Sequence, residues 1–382
     1  MKHYDVVIIG GGPSGISAGI SLIKAGYNCC ILDKNSFPRN KLCGGLVTQK
    51  SYELINEITN HEHIIDNSII DKSNNVTIYN KNKKIVSSNI NSTLFFIDRN
   101  VFDNSMKEYY EAIGGLFFDN IKIKTINNKI NNIILENDET IKYTYIIAAD
   151  GALSMLRNKI YNKKIHLGFC LEVNTTNNNK ISQNHHSVSI YFNIIKNGYG
   201  WVFPSQQEEK IGFGNLYDKD FNYKKAFLEF VNKEKFNIEN INNIKGAFVP
   251  YGEYLKHPAT TNILFVGDAA GFVDPILGEG LYFSFLSGKL AADAIIQNRY
   301  NVEESYVKLS KIITKQIKWA NIYKKLFFNI LLQKLFFKKL ENNKLFLKIF
   351  IDKQISLYTY KYKKLYKIYF KYKSIKRNKN VD

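Results

Sequence analysis

A glycine-rich turn stands directly after an apolar segment at the start of the chain. Residues 4–9 are a short apolar run of the kind found in buried parallel strands, and the turn at residues 10–15 follows at once. Residues 16–25 then carry small and apolar side chains at helical spacing, and residues 28–32 form a second apolar run. This order of strand, turn, helix and strand predicts a βαβ unit, which directs the start of the chain into an α/β fold.

The spacing of the glycines is that of a dinucleotide-binding turn. Gly10 allows the tight turn, Gly12 lets a pyrophosphate approach the backbone, and Gly15 lets the helix and the strand pack closely. Asp33 ends the second apolar run, where a carboxylate can accept hydrogen bonds from ribose hydroxyls. A glycine-rich turn without a ligand is the alternative, and it is disfavoured because strand, helix and acid are all in place.

A second glycine-rich segment far along the chain distinguishes FAD from NAD. An apolar run at residues 263–266 leads into Gly267 and Asp268, and a helix is predicted to open at Gly280 and Leu281. A carboxylate at Asp268 can hold the ribityl hydroxyls of FAD, and the helix N-terminus can stabilise negative charge on the reduced flavin. A third element, Asp150 followed by a glycine after an apolar run, is either part of the same site or an ordinary turn.

The rest of the chain predicts a discontinuous arrangement of domains. Alternating apolar and polar runs at residues 67–97 and 166–249 indicate a mostly antiparallel sheet, whereas residues 98–112 read as a helix and 141–148 as a buried strand. The predicted fold class is α/β, with a Rossmann-like FAD-binding domain, an antiparallel substrate domain and a C-terminal helical extension. The boundaries predicted for these three parts are 1–66, 98–165 and 255–305 for the first, 67–97 and 166–254 for the second, and 306–382 for the third.

The positive charge of the chain is concentrated at its C-terminal end. The formal net charge is +19, and residues 308–382 account for +18 of it, so the preceding body is close to neutral. Between residues 319 and 350, Asn321, Lys325, Asn329 and Gln333 are predicted on the polar side of an amphipathic helix, with Ile322 among the apolar residues opposite. Such a helix suits an anionic membrane surface, but a solvated helical cap on the body is an equal alternative.

The Lys and Tyr residues that alternate at 358–372 could also stack on nucleic acid, which is the least favoured interpretation because nothing in the body suggests it.

The four cysteines have neither the number nor the spacing of a disulfide framework or a zinc site, and the histidines show no metal spacing. No secretion signal and no uninterrupted apolar segment of membrane-spanning length is evident. A metal-free cytoplasmic protein, with or without peripheral membrane attachment, is expected.

Several motifs taken together resemble the geranylgeranyl reductase family, within the class of flavoproteins typified by aromatic hydroxylases. They extend over about residues 5–296 and stop before the basic extension. The matching segments are Lys41-Leu42-Cys43-Gly44-Gly45, Arg99 with Phe102-Asp103, Tyr199-Gly200-Trp201-Val202-Phe203-Pro204, Gly212-Phe213-Gly214, and residues 267–281.

The resemblance implies an FAD enzyme that reduces isolated carbon–carbon double bonds of prenyl chains, often on lipids. It implies flavin contacts at Ser14, Asp33, Cys43, Gly44, Arg99, Asp268, Gly280 and Leu281. Cys43, Tyr199 and Trp201 are the candidates for the catalytic pocket, since a thiol beside the flavin could tune the ring and two aromatic rings on one strand face could wall an apolar pocket. Ordinary packing is the alternative for all three.

No second glycine fingerprint offers a separate nicotinamide domain, so NAD(P)H bound transiently or a reduced ferredoxin-type protein is expected as reductant.

Two other functions stay open. One is an FAD monooxygenase or halogenase on the same fold, although a halogenase would be expected to carry Trp and Ile where Tyr199 and Phe203 stand. The other is a non-catalytic basic protein that binds a membrane or nucleic acid.

Overall fold

The structure is a computed structural model. It describes residues 2–176, 187–204, 208–236, 238, 241–298, 300–329, 333, 335, 337 and 338.

The described residues form strands and helices that are numbered here in chain order. The strands are β1 (Lys2–Ile9), β2 (Cys29–Leu32), β3 (Leu46–Thr48), β4 (Ile69–Asn80), β5 (Lys83–Ile97), β6 (Leu116–Phe118), β7 (Ile123–Asn127), β8 (Asn132–Leu135), β9 (Thr140–Ala148), β10 (Leu167–Thr176), β11 (Ser187–Phe192), β12 (Gly198–Phe203), β13 (Glu208–Leu216), β14 (Lys245–Pro250) and β15 (Ile263–Phe265). The helices are α1 (Pro13–Lys24), α2 (Gln49–Thr59), α3 (Arg99–Ala112), α4 (Met155–Tyr161), α5 (Tyr223–Lys233), α6 (Leu281–Gln297) and α7 (Val302–Phe327).

The first sheet is built around parallel strands. Its order is β6-β2-β1-β9-β8-β7, with β15 also paired to β9. Strands β6, β2, β1, β9 and β15 run parallel to one another, and the hairpin β7-β8 adds antiparallel strands to one side. Because parallel strands end at the same edge, the residues that follow β1, β2, β9 and β15 meet there, which is where α/β proteins bind their ligands. The predicted α/β fold class is confirmed.

The second sheet has the order β14-β10-β13-β12-β11-β4-β5-β3. All its neighbours are antiparallel except β11 and β4, which run parallel. This sheet therefore combines residues 67–97 and 166–249, the two segments in which alternating apolar and polar residues predict antiparallel strands. Strand β3 lies within the segment predicted for the FAD-binding domain, yet it pairs with β5 in this second sheet.

Helices α1 and α6 pack closely because small residues line their contact. A Cβ atom on Gly288 would overlap the carbonyl oxygen of Ser14, so only glycine lets the two backbones approach this far. The hydroxyl of Ser17 donates a hydrogen bond to the carbonyl of Phe285 at 2.6 Å across the same contact. The pair forms part of a core whose buried members include Ile16, Ile20, Ala291 and Ala292.

The start of the C-terminal extension is part of the packed body. Tyr306 is fully buried in α7, and its hydroxyl donates to the carbonyl of Phe265 at 2.7 Å. Ile313 and Ile317 belong to the apolar core beneath the first sheet. None of the described helices has the length and the apolar character required to cross a bilayer.

Two assignments on the predicted amphipathic helix are wrong. Gln333, predicted on the solvated face, is buried, and Ile322, predicted on the apolar side, is 44% exposed. Ile322 lies within α7 but outside the stripe of Ile313, Ile317 and Ala320 that faces the core. Gln333 lies beyond Phe327, where α7 ends, so it does not belong to the helix face that a single long helix would give it. Phe337 packs on Phe192 of β11, with ring centroids 5.7 Å apart. Residues 339–382, including the Lys and Tyr alternation, lie outside the described part of the chain.

We expect the substitution Gly288→Ala to lower the free energy of unfolding by about 1–3 kcal/mol, because the added methyl group has to push α6 away from the Ser14 carbonyl. Urea denaturation followed by circular dichroism measures the change. The control is Lys289→Ala on the same helix, where part-exposed ion pairs with Asp293 and Glu57 are lost and a change below about 1 kcal/mol is expected. Equal stability of the Gly288 variant and the wild type would contradict the packing argument.

Candidate functional site

The three glycines of the first turn differ in how closely neighbouring atoms surround them. Gly10 has φ +107°, a conformation that favours glycine, and a Cβ atom there would overlap the carbonyl oxygen of Ala149. A Cβ on Gly15 would overlap the carbonyl oxygen of Gly10, so helix and strand touch at this point. Around Gly12 there is room, since a Cβ atom on that residue would lie 3.5 Å from Nη2 of Arg39. The turn is therefore open at the glycine expected to face a pyrophosphate.

The amino terminus of α1 offers backbone donors at this opening. Gly12 is the N-cap residue and supplies no side-chain cap, and Pro13 follows as the first helical residue. The amides of the first helical turn have no partner within the helix, and together with the helix dipole they attract an anion.

Asp33 is held against the turn. One of its carboxylate oxygens accepts the backbone N–H of Gly11 at 2.7 Å, and the other accepts the N–H of Asn35 at 2.8 Å. The residue is 5% exposed. Asp33 thus fixes the glycine turn relative to the end of β2 while its charge stays beside the opening.

Two arginines share one carboxylate next to this opening. Arg99 donates to Asp103 at 2.9–3.1 Å through two of its nitrogens, and Arg39 Nη2 lies 3.3 Å from the same carboxylate. Burial opposes the charge of the Arg99 guanidinium, but Asp103 and Cys43 favour it, and the pKa of Arg99 is raised overall. Within the described ranges, Nε of Arg39 is buried with no hydrogen-bond partner. An anion in front of Gly12 would supply one.

The Asp150 element and the 267–271 turn are joined by Arg157. Its guanidinium donates to the carbonyls of Ala152 and Ala269 at 2.8 and 2.9 Å. Asp150 follows β9 and accepts the N–H of Leu156 at 3.3 Å, and burial raises the pKa of its carboxyl. The residue therefore lies at the same edge of the sheet as Gly10 and caps the start of α4.

Asp268 faces a group of cations. Burial raises the pKa of its carboxyl, while Lys41, Arg99 and Arg157 act in the opposite direction. A Cβ atom placed on Gly280 would lie 3.6 Å from Oδ1 of Asp268, so the carboxylate sits beside the amino terminus of α6, whose first residue is Leu281. This juxtaposition puts a hydrogen-bond acceptor and a helix N-terminus side by side.

Ser14 connects the two glycine-rich segments. It is buried, and a Cβ atom on Gly267 would lie 2.8 Å from its hydroxyl oxygen. The amide of Gly267 donates to Ser287 Oγ at 2.8 Å on α6. The fingerprint turn and the second segment are therefore in direct contact.

The Cys43-Gly44-Gly45 segment lies against the second sheet. A Cβ atom on Gly44 would come within 2.5 Å of the Phe203 ring, and the Gly45 amide donates to the Cys43 sulfur at 3.4 Å. Lys210 on β13 donates from Nζ to the Cys43 carbonyl at 3.2 Å. The segment is thus fixed between the two sheets.

Tyr199 and Trp201 lie side by side on β12 with ring centroids 5.8 Å apart, and the Phe203 ring continues the row 6.2 Å from Trp201. The Tyr199 hydroxyl donates to the carbonyl of Leu277, and burial raises the pKa of that phenol well above its usual range. The row, called the aromatic wall below, therefore extends from the 277–280 loop to the Cys43 segment.

Sequence reasoning missed the neighbours of this wall. Lys50 lies 3.4 Å above the Tyr282 ring and 3.9 Å from Oε2 of Glu279, and burial lowers its pKa to about 8 although Glu279 and Asp274 oppose that change. Glu279 also accepts the hydroxyl of Thr48 at 3.0 Å. Glu279 stands inside a motif that the sequence displays, but nothing in the pattern around Lys50 or Arg39 marks either residue.

The donor set fits FAD. The open turn at Gly12 with the orphaned Arg39 nitrogen suits a pyrophosphate, and the carboxylate of Asp268 suits hydroxyl groups. The helix N-terminus at Gly280 suits a ring that accepts negative charge. Among the residues that the structure describes, no cluster of three or more His, Cys, Asp or Glu side chains could hold a metal ion.

Comparisons with known proteins agree with this fit. A family model described as an FAD binding domain matches residues 3–211. The chain is 32% identical over 303 residues to an uncharacterized protein of Methanosarcina barkeri, a match that covers 77% of this chain and 75% of that one. It is 26% identical over 362 residues to the digeranylgeranylglycerophospholipid reductase of Methanococcus aeolicus, covering 88% and 86%.

Solved structures share the fold. A geranylgeranyl bacteriochlorophyll reductase-like protein from Thermoplasma acidophilum superposes with a TM-score of 0.76 at 19% identity, covering 90% of this chain and 92% of that one. A probable FAD-dependent monooxygenase from Pseudomonas aeruginosa superposes with a TM-score of 0.71 at 13% identity, covering 90% and 100%. At these sequence identities the two structures establish the fold. They do not distinguish a reductase from a monooxygenase.

We expect the substitution Asp33→Asn to raise the dissociation constant for FAD at least tenfold, equivalent to about 1.4 kcal/mol, because the charged acceptor that fixes Gly11 is lost. Quenching of flavin fluorescence measures the affinity. The matched control is Asp5→Asn, since Asp5 also accepts a backbone N–H between β1 and β2, at the opposite end of the strands. An unchanged affinity in the Asp33 variant would contradict the proposed site.

Proposed function

The chain belongs to the geranylgeranyl reductase-like family of FAD-dependent oxidoreductases, and on that premise we propose that it reduces carbon–carbon double bonds of a prenyl chain or a prenyl lipid. The observation that carries the proposal is the position of the aromatic wall. Tyr199, Trp201 and Phe203 extend between two loops that we assign to the flavin, one at Cys43 and one at Leu277. An apolar surface at that place suits a hydrocarbon substrate with no charged group near the reacting atoms.

The wall is continuous with a buried apolar cluster of the second sheet. Trp201 and Phe203 pack in one cluster with Leu94 and Phe96 of β5 and with Ile78 of β4. Strands β4, β5 and β12 of the second sheet thus contribute apolar side chains to one cluster. A long isoprenoid needs such an extended contact, because its affinity comes mainly from buried apolar area.

We propose that the cofactor is held at two ends. The residues assigned to the pyrophosphate and ribose end are Gly10, Gly12, Ser14, Gly15, Asp33 and Arg39. Those assigned to the ribityl and ring end are Cys43, Gly44, Arg99, Asp150, Asp268, Gly280 and Leu281. Reduced FAD, when bound, supplies a hydride to one carbon of the double bond.

The residues around the wall position the substrate and exclude water. Tyr199 is tied to the Leu277 carbonyl by its hydroxyl, so its role is to hold the 277–280 loop against β12 and not to give up a proton. The Cys43 sulfur accepts the Gly45 amide and its carbonyl accepts Lys210, so the residue is held as a lining of the site. Electrons come to the site from NAD(P)H bound transiently or from a reduced ferredoxin-type protein.

The test is an anaerobic product assay. FAD-loaded protein reduced with dithionite and mixed with a geranylgeranyl lipid should form a product that gains two hydrogen atoms per reduced bond, detected by mass spectrometry. A preparation kept oxidised is the control and should give no product. A product that forms only with oxygen and gains an oxygen atom would support the monooxygenase chemistry seen on the same fold and contradict the proposal.

We also propose that the C-terminal residues attach the enzyme to an anionic membrane surface. Residues 339–382 hold 13 Lys and Arg against three Asp and Glu. Each basic residue near such a surface contributes roughly 1 kcal/mol of attraction. A prenyl lipid substrate gives the enzyme a reason to work there.

We expect truncation after Lys338 to abolish binding to vesicles that contain phosphatidylserine, because most of the net positive charge beyond α7 is removed. Vesicle co-sedimentation measures binding, and phosphatidylcholine vesicles are the control. The truncation leaves α7 and Phe337 in place, so the body should keep its thermal stability. Equal binding of both proteins to anionic vesicles would refute the role.

A further inference from the structure

A buried carboxylate lies beside Trp201 of the aromatic wall. Glu172 on β10 is 5% exposed, and the indole N–H of Trp201 donates to its Oε2 at 3.3 Å. A glutamate is costly to bury among apolar side chains, here between Leu171 and Val173 on the strand. None of the flavin contacts assigned above involves it.

The sheet is built to bring these two side chains together. Glu172 and Trp201 are both direct cross-strand neighbours of Gly212, which lies between them on β13. A Cβ atom on Gly212 would overlap the Trp201 indole. Because Gly212 has no side chain, the indole can lie across β13 and reach the carboxylate two strands away. The absence of a side chain at Gly212 therefore makes the hydrogen bond between Trp201 and Glu172 possible.

The carboxylate faces the Cys43 segment. A Cβ atom on Gly44 would lie 3.7 Å from Oε2 of Glu172 and 2.5 Å from the ring of Phe203. Lys210, whose Nζ binds the Cys43 carbonyl, is the cation nearest to this group. Glu172 thus lies at the junction of the aromatic wall and a loop assigned to the flavin.

The surroundings keep the carboxyl group protonated to a higher pH than usual. Burial raises the pKa of Glu172, whereas Lys210 on β13 and the Trp201 hydrogen bond lower it, and the net change is upward. Cys170, on the same strand and face, has a thiol pKa raised by burial to about 12 and is neutral at physiological pH. Lys245, the neighbour on β14, is exposed. With Oε2 accepting the indole N–H, Oε1 is the oxygen that can carry the proton.

We propose that Glu172 is the general acid of the reaction, which donates its proton to the alkene carbon that does not receive the hydride. This inference rests on the proposed function. The Glu172 O–H bond, the alkene π bond and the N–H bond of reduced FAD that supplies the hydride would break, and two C–H bonds would form, one from the hydride and one from the proton. The alkene is reduced by two electrons, reduced FAD is oxidised by two, and water returns the proton to the carboxylate.

The substitution Glu172→Gln separates this role from a structural one. A glutamine has the same shape, and its carbonyl oxygen can accept the Trp201 indole N–H, but it carries no acidic proton. If Glu172 only anchors Trp201, the variant should work normally. If it is the acid, the single-turnover rate should fall by about 100-fold or more, since general acids contribute 10²–10⁴-fold.

The matched control is Glu234→Gln. Burial also raises the pKa of Glu234, but that residue lies near Tyr79 and Tyr191 on the opposite face of the second sheet. Dithionite-reduced, FAD-loaded wild type and both variants are mixed anaerobically with a geranylgeranyl lipid, and product is quantified by mass spectrometry. The single-turnover rate of the Glu234 variant should match that of the wild type within twofold, and all three proteins should bind FAD equally.

The wild-type rate should fall as pH rises above the Glu172 pKa, and the Glu172 variant should lose that dependence.

A second measurement does not depend on turnover. Trp201 and Trp319 are the two tryptophans of the chain, so Trp319→Phe leaves Trp201 as the single indole. The fluorescence of Trp201 in FAD-loaded protein should then titrate with an apparent pKa above 4.5, the ordinary glutamate value. Adding Glu172→Gln should remove that transition.

The outcomes are distinct. A wild-type enzyme that reduces the lipid, together with a Glu172→Gln variant of normal rate, would overturn the inference and leave the proposed function standing. A Trp201 titration that is identical with and without Glu172 would also overturn it. A wild type that forms no reduced product would overturn the proposed function, and the role of Glu172 with it.

Discussion

Glycine residues let backbone segments approach one another closely enough to assemble the site. Gly10 touches the carbonyl that follows β9, Gly15 touches Gly10, and Gly288 brings α6 onto the start of α1. Any side chain at these three points would separate the strands and helices whose ends form the site. Because the contacts are made, Asp33, Asp150 and Asp268 come to one edge of the first sheet.

Glycines also allow close packing where the second sheet meets the first. Gly44 lies against the Phe203 ring, and Gly212 leaves the space that the Trp201 indole occupies. The carboxylates at this junction are neutralised in two ways. Asp103 is shared by Arg39 and Arg99, whereas the buried Glu172 has Lys210 as its nearest cation and holds a raised pKa. A charged, hydrogen-bonded side suited to a cofactor thus adjoins an apolar side suited to a hydrocarbon.

Much of the fold follows from the sequence because its signals are local. The turn at Gly10, Gly12 and Gly15 predicts the βαβ unit, and the alternating segments predict the second sheet, which the structure confirms as fold class. The site is harder to predict, because Glu172 becomes informative only when three strands place it beside Gly212 and Trp201. Arg39 and Lys50 carry no sequence pattern. The exposure of Ile322 depends on which face of α7 packs on the body, and the burial of Gln333 depends on where α7 ends, and neither is marked in the local sequence.

A crystal structure of the FAD complex would show whether loops from both sheets enclose one flavin beside the aromatic wall. The result expected is an isoalloxazine ring between the Cys43-Gly44 segment and the 277–280 loop, with Trp201 and Glu172 on the side open to substrate. A flavin ring bound away from β12, with the wall filled by protein side chains alone, would contradict the account.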